Sequence, residues 1–150
     1  MNDAKFVYVI YIAATPDKVW QALIDGEMTR QYWQHDNVSD WKPGSKWQHR
    51  RLDGDKQPRI VGTVLESVPP KRLVLSWALP ANEADKTKHS RVTLEVEPVA
   101  DMVRLTVTHE ELEAGSDMLR GISSGWPRVL SSLKSFLEMG KPLDVIGSKK

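Results

Sequence analysis

Residues 90–112, SRVTLEVEPVADMVRLTVTHEEL, decide the fold class. Val92, Leu94 and Val96 alternate with Arg91, Thr93, Glu95 and Glu97; Val103, Leu105, Val107 and His109 then alternate with Arg104, Thr106, Thr108 and Glu110. Side chains of a strand point to opposite faces in turn, so each run has one dry face and one wet face. An antiparallel sheet covered on one side gives that pattern.

Working outward, residues 72–79, 59–68 and 45–52 read as further strands. Pro69-Pro70 separates the first two, and Asp53-Gly54 is a hairpin turn signal between the others. Residues 34–44 read as an irregular loop ending at Pro43-Gly44, and 80–89 as an exposed polar connection. At the start, KFVYVIYIA over 5–13 is rich in β-branched and aromatic residues and predicts a strand. Thr15 suits an N-cap, Pro16 the first helical position and Asp17 the positive end of the helix dipole. Val19, Trp20, Leu23 and Ile24 give that helix its apolar face, with Gly26 as its stop; residues 27–33 predict a second short helix. Near the end, Ile122, Trp126, Val129, Leu130, Leu133, Phe136 and Leu137 recur at three- and four-residue steps, with Gly140 and Pro142 beyond. Pro127 predicts a kink or a new helical start. The expected class is α+β: an antiparallel sheet of about six strands, two short helices after the first strand, and a long C-terminal helix against the sheet.

The 150 residues suit one domain, with no internal boundary visible. A formal net charge of +1 gives no bulk attraction to nucleic acid or an anionic membrane. Without cysteine there are no disulfides, thiolate metal sites or Cys nucleophiles. No apolar run reaches the roughly 18 residues of a membrane span, and the N-terminus lacks a signal-peptide layout, so a cytoplasmic protein is expected. The 4 histidines, at 35, 49, 89 and 109, form neither HxH nor HExxH, so no metal site is expected. No P-loop or GxGxxG suggests a phosphate cradle, and Ser123-Ser124-Gly125 is not a nucleophile elbow. No cofactor is expected.

Several local motifs resemble the START-like superfamily (SRPBCC, helix-grip), in particular its AHSA-type branch, named for the activator of the 90-kDa heat-shock protein's ATPase. They are Ala14-Thr15-Pro16 with Val19-Trp20, Trp33, Gly62-Thr63-Val64, and Pro69-Pro70 with Arg72-Leu73 and Trp77. Ser90-Arg91-Val92-Thr93, Thr106-Val107-Thr108-His109 and Gly125-Trp126 with Leu130 and Leu133 complete an ordered set over about 5–140. Gly44-Ser45 departs from the paired glycines common in the branch, and the loop at 82–89 is another variable place. The resemblance implies a strongly bent sheet gripping the last helix with a cavity between them. It implies no single activity, because relatives include lipid carriers, polyketide cyclases, hormone receptors and chaperone partners.

Candidate site residues come from the inward faces. His109 continues the register of Leu105 and Val107, which puts an imidazole among apolar groups. It is either a buried histidine satisfied by backbone or a cavity group that orients a ligand or moves a proton near neutral pH. Catalysis would need a second acid or base, and Glu111 shares its parity. Trp47, His49 and Arg51 share one parity, Trp77 that of Leu73 and Leu75, and Trp126 lies in the last apolar stripe. These aromatics either pack the core or wall a small-molecule cavity. Trp33 and Trp41 lie nearer loops, at a possible mouth. Lys46, Arg50, Arg51, Lys56 and Arg59 form a basic hairpin, read as a solvated edge that discourages sheet pairing or as a patch for an anion or partner protein.

The sequence therefore predicts a single domain over 1–150 that binds a hydrophobic or amphipathic small molecule between sheet and last helix, at Trp33, Trp47, His49, Trp77, His109 and Trp126. One alternative is a cyclase- or hydrolase-like enzyme using His109. The other is a module that contacts a chaperone through its surface.

Overall fold

Chain direction reverses at each turn signal, and the strands zip into one antiparallel sheet in the computed structural model, which describes residues 2–147. Met1 and residues 148–150 of the expected 1–150 domain lie outside the described residues. β1 (Ala4–Ile12) turns alternate side chains inward. Thr15 then caps α1 (Pro16–Ile24) by accepting the Lys18 N–H at 3.2 Å. Asp25 ends α1 and caps α2 (Gly26–Tyr32), accepting the Glu27 N–H at 2.9 Å. Gly26 thus opens α2 rather than ending α1, and a side chain there would collide with the Asp36 carboxylate that pairs with Arg30 at 3.1 Å.

The remaining strands are β2 (His35–Val38), β3 (Lys46–Arg51), β4 (Pro58–Val68), β5 (Arg72–Trp77), β6 (Ser90–Val99) and β7 (Met102–Leu112). Their order is β1-β7-β6-β5-β4-β3-β2. The sheet has 7 strands, one more than expected. The added strand is β2, inside the stretch read as a loop. Its sequence HDNV carries no hydrophobic alternation, yet it pairs with β3 from His35↔Arg51 to Val38↔Gln48. Its buried positions are polar, His35 and Asn37, so a period of apolar residues could not reveal it.

Gly62 in β4 lies where the backbone of β5 comes close. A Cβ would strike the Ser76 carbonyl and the Trp47 indole, which donates its N–H to that carbonyl at 2.8 Å. At the other end of the sheet, the β1–β7 register shifts between Ala4 and Phe6, and Glu111 takes the left-handed φ of 60°. A bulge inserts one residue and breaks the alternation. Glu111 therefore points outward and pairs with Arg91 at 3.3 Å, while His109 and Leu112 are both buried.

α3 (Asp117–Met139) is capped by Ser116, which accepts the Leu119 N–H at 3.1 Å, and ends at Gly140 with φ 73°. It runs as one helix of 23 residues, with no new start at Pro127. Ile122, Trp126, Val129, Leu130 and Leu133 bury its stripe in the same core as Ile12, Leu75, Val92, Leu105 and Val107. Near its end, Glu138 accepts the Ala13 N–H at 2.7 Å and the Lys134 ammonium at 2.8 Å, and Lys134 donates to the Tyr11 carbonyl at 2.6 Å. These bonds tie the end of α3 to the end of β1. No described helix is long and apolar enough to cross a membrane.

Candidate functional site

Where α3 diverges from the sheet it leaves a cleft of about 650 Å³. One wall is the start and middle of α3, from Met118 to Val129; the opposite wall comes from β3, β4 and β5, with His49, Ile60 and Trp77. Trp33, which caps α2, and Val145 and Ile146 beyond α3 close the sides. The C-terminal segment is held by the Ser132 hydroxyl, which accepts the Leu143 N–H at 2.8 Å, and by Gln34, which accepts the Val145 N–H at 2.7 Å.

Indole and imidazole rings make the lining continuous. Trp126 lies 5.3 Å from Trp33 and 5.7 Å from Trp77, centroid to centroid. His49 lies 4.8 Å from Trp33 and 6.2 Å from Trp77. The buried Trp77 N–H has no hydrogen-bond partner. A donor left so costs about 1–3 kcal/mol, which an acceptor atom would recover.

His109 does not line the cleft, contrary to expectation; it sits behind the indoles and is fully buried. The Trp126 Nε1–H donates to its Nδ1 at 3.1 Å. An indole nitrogen only donates, so the imidazole proton is on Nε2. That N–H points to the Ser90 hydroxyl oxygen at 2.8 Å, and the Ser90 hydroxyl donates to the Trp77 carbonyl at 3.2 Å. Both ring nitrogens are used. Burial pushes the His109 pKa down to about 3. With Glu111 turned outward onto Arg91, it does not supply the second acid or base that catalysis at His109 would need. Trp47 is likewise core: 1% exposed, bonded to the Ser76 carbonyl, and tilted against Trp77 with ring centres 5.5 Å apart.

The cleft holds a different histidine pair. His35 and His49 stack at 4.2 Å with their planes 14° apart. The His49 Nδ1–H donates to Asn37 Oδ1 at 2.6 Å and the His35 Nδ1–H to the Trp33 carbonyl at 3.0 Å. Burial is the main cause that holds both rings below the ordinary imidazole pKa. For His49 a charge on His35 and then that of Arg59 add to it, and for His35 the charges of Arg59 and Arg51 do. The pair is therefore neutral and serves as a weakly polar wall. Among the described residues no group of three or more His, Asp or Glu is placed to hold a metal ion.

Of the residues singled out in the sequence, Trp33, His49, Trp77 and Trp126 meet at the cleft, and Trp47 and His109 stand behind it. Sequence reasoning missed His35, because β2 was not recognised. It also missed Gly121 and Gly125 on α3, where an added Cβ meets nothing within 4 Å. A signal was present: glycine in a helix interior costs about 1 kcal/mol relative to alanine, so two at i and i+4 ask for a reason. Here they keep the cleft wide. Arg51 and Arg59 of the basic hairpin line the mouth, as does Arg128 of α3.

A bent seven-stranded sheet gripping a C-terminal helix, with a cleft between them, defines a START-like, helix-grip protein. The family model described as "Activator of Hsp90 ATPase homolog 1-like protein" matches residues 13–138, and the chain belongs to this family. Among solved structures, the Aha1 dimer from Colwellia psychrerythraea is 24% identical, with 92% of this chain and 98% of that one covered and a TM-score of 0.76. An HSP90 activator from Plasmodium falciparum is 23% identical, with coverage of 92% and 97% and a TM-score of 0.73. CalU16 from Micromonospora echinospora is 22% identical, with coverage of 91% and 77% and a TM-score of 0.71. At these identities the likeness shows the fold. No curated protein matches the chain.

Proposed function

We propose that the protein binds a small hydrophobic or amphipathic molecule in the cleft between its sheet and α3. The observation that carries this reading is the cleft's size and lining: about 650 Å³, walled by Trp33, Trp77 and Trp126 and widened by Gly121 and Gly125. Ligand pockets span about 300–1,000 Å³ and are mostly apolar with few polar groups. Binding is favoured over acid–base catalysis at His109 because both its ring nitrogens are occupied and Glu111, the carboxylate of matching parity, pairs with Arg91 instead.

The test uses phenylnaphthylamine, a neutral aromatic fluorophore, with Gly125→Leu as the occluded variant. The probe should light up and quench tryptophan in the native chain, and Gly125→Leu should abolish both while keeping the chain folded. Binding unchanged by Gly125→Leu, or no binding by either protein, would reject this cleft as the site.

Family membership favours a second reading, contact with a chaperone through the outer surface. An ATPase assay of the 90-kDa heat-shock protein with the full chain tests it. Stimulation that survives Gly125→Leu would mean the cleft is not needed for that contact.

A further inference from the structure

The arginines of this chain fall into distinct groups. Arg30, Arg72, Arg91, Arg104 and Arg120 each pair with a carboxylate. Arg50 donates to Gln48 Oε1 at 2.7 Å. Arg51, Arg59 and Arg128, like Arg50, have no carboxylate partner among the described residues; Arg128 Nε donates to the Ser124 carbonyl at 3.1 Å, and Arg51, Arg59 and Arg128 line the indole-walled cleft. Arg51 and Arg59 come from neighbouring strands, where the Arg51 N–H bonds the Gln57 carbonyl at 3.1 Å. Both charges reach His35, and that of Arg59 reaches His49. Opposing charge is scarce at the mouth. Asp117 lines it but is held by Arg120, and the Asp53 charge also reaches His35.

We propose that the cleft selects an organic anion, whose apolar or aromatic body lies against Trp33, Trp77 and Trp126 and whose carboxylate or sulfonate meets Arg51 and Arg59. This rests on the small-molecule reading above and narrows it to a ligand class. Guanidinium groups match carboxylate and sulfonate geometry with paired N–H donors, and such charge-assisted bonds are the strong ones. Low-dielectric walls beside unpaired cations focus the field on an incoming anion.

The experiment compares two fluorophores with nearly the same body, anilinonaphthalene sulfonate and neutral phenylnaphthylamine. They are titrated against the native chain, the Arg51→Gln/Arg59→Gln double variant and Gly125→Leu. The sulfonate should bind the native chain about tenfold more tightly than the neutral probe, an advantage that shrinks with added salt. The double variant should erase that advantage while the neutral probe changes less than about twofold. Gly125→Leu should block both. Equal binding of the two probes to the native chain, or equal weakening of both by the arginine variant, overturns the anion inference and leaves the small-molecule reading standing. Failure of both probes to bind overturns both. Arg51 and Arg59 are exposed, so circular dichroism of the double variant should match the native chain.

Discussion

Acid should destabilise this protein well before its carboxylates titrate, and His109 should be a principal cause. In the folded chain its pKa is pushed down to about 3 by burial. In the unfolded chain it returns to the ordinary value of 6.5. The sign follows from proton counting. At neutral pH neither state binds the proton. Below 6.5 the unfolded state takes it up and the folded state does not, so stability falls with pH until the folded value is reached. Each pH unit in that window costs about 1.4 kcal/mol for one proton. At about pH 5 the His109 share is therefore about 2 kcal/mol, a sizeable part of a typical total of about 5–15 kcal/mol. His35 and His49 are lowered too, and add to the loss in the same direction.

The variant that isolates His109 is His109→Gln. Its amide oxygen can accept the Trp126 N–H and its amide nitrogen can donate to Ser90, which keeps both hydrogen bonds without a titrating ring. Urea unfolding, followed by far-UV circular dichroism at about pH 7.5 and about pH 5, gives the two stabilities. His109→Gln should be less stable than the native chain at the higher pH, because ring packing at 5.1 Å from Trp77 is lost. It should also lose about 2 kcal/mol less than the native chain between the two pH values. Equal losses in both proteins would refute the buried, neutral His109 and the donor order derived from it.

Gly62→Ala should destabilise by about 1–3 kcal/mol or prevent folding, since the methyl group has only the Ser76 carbonyl and the Trp47 indole to move against; an unchanged midpoint in urea would mean β4 and β5 stand further apart. Leu133→Ala, at 0% exposure on the buried stripe of α3, should cost about 2–5 kcal/mol by calorimetry or urea, and a loss below about half a kcal/mol would contradict the facing of that helix. Glu138 is held below its ordinary value of 4.5 by the Ala13 N–H and then by Lys134, so its contribution is present above that value and lost as pH falls through the lowered one. Glu138→Gln should accordingly be less stable at neutral pH and lose less than the native chain in acid; parallel acid curves would refute the tether between α3 and β1.

Sequence periods located most of the sheet and helices because each needs only one repeating contrast. In 90–112 the two-residue alternation put Val92, Leu94, Val103 and Leu105 inside, where they are. The same rule failed at Glu111, since a bulge adds one residue without changing the composition around it. It missed β2 because the inward residues there, His35 and Asn37, are polar and satisfied by ring stacking and side-chain bonds. The site was legible by face but not by depth. Trp47, His49, Trp77, His109 and Trp126 all sit on inward faces, and that much follows from period alone. Which of them stay open to the cleft depends on where α3 leaves the sheet. Trp126 covers His109 by donating to it, and Trp77 covers Trp47. The boundary of the cleft thus runs between Trp77 and His109, whose ring centres are 5.1 Å apart, and on the His109 side it is set by Trp126 of α3.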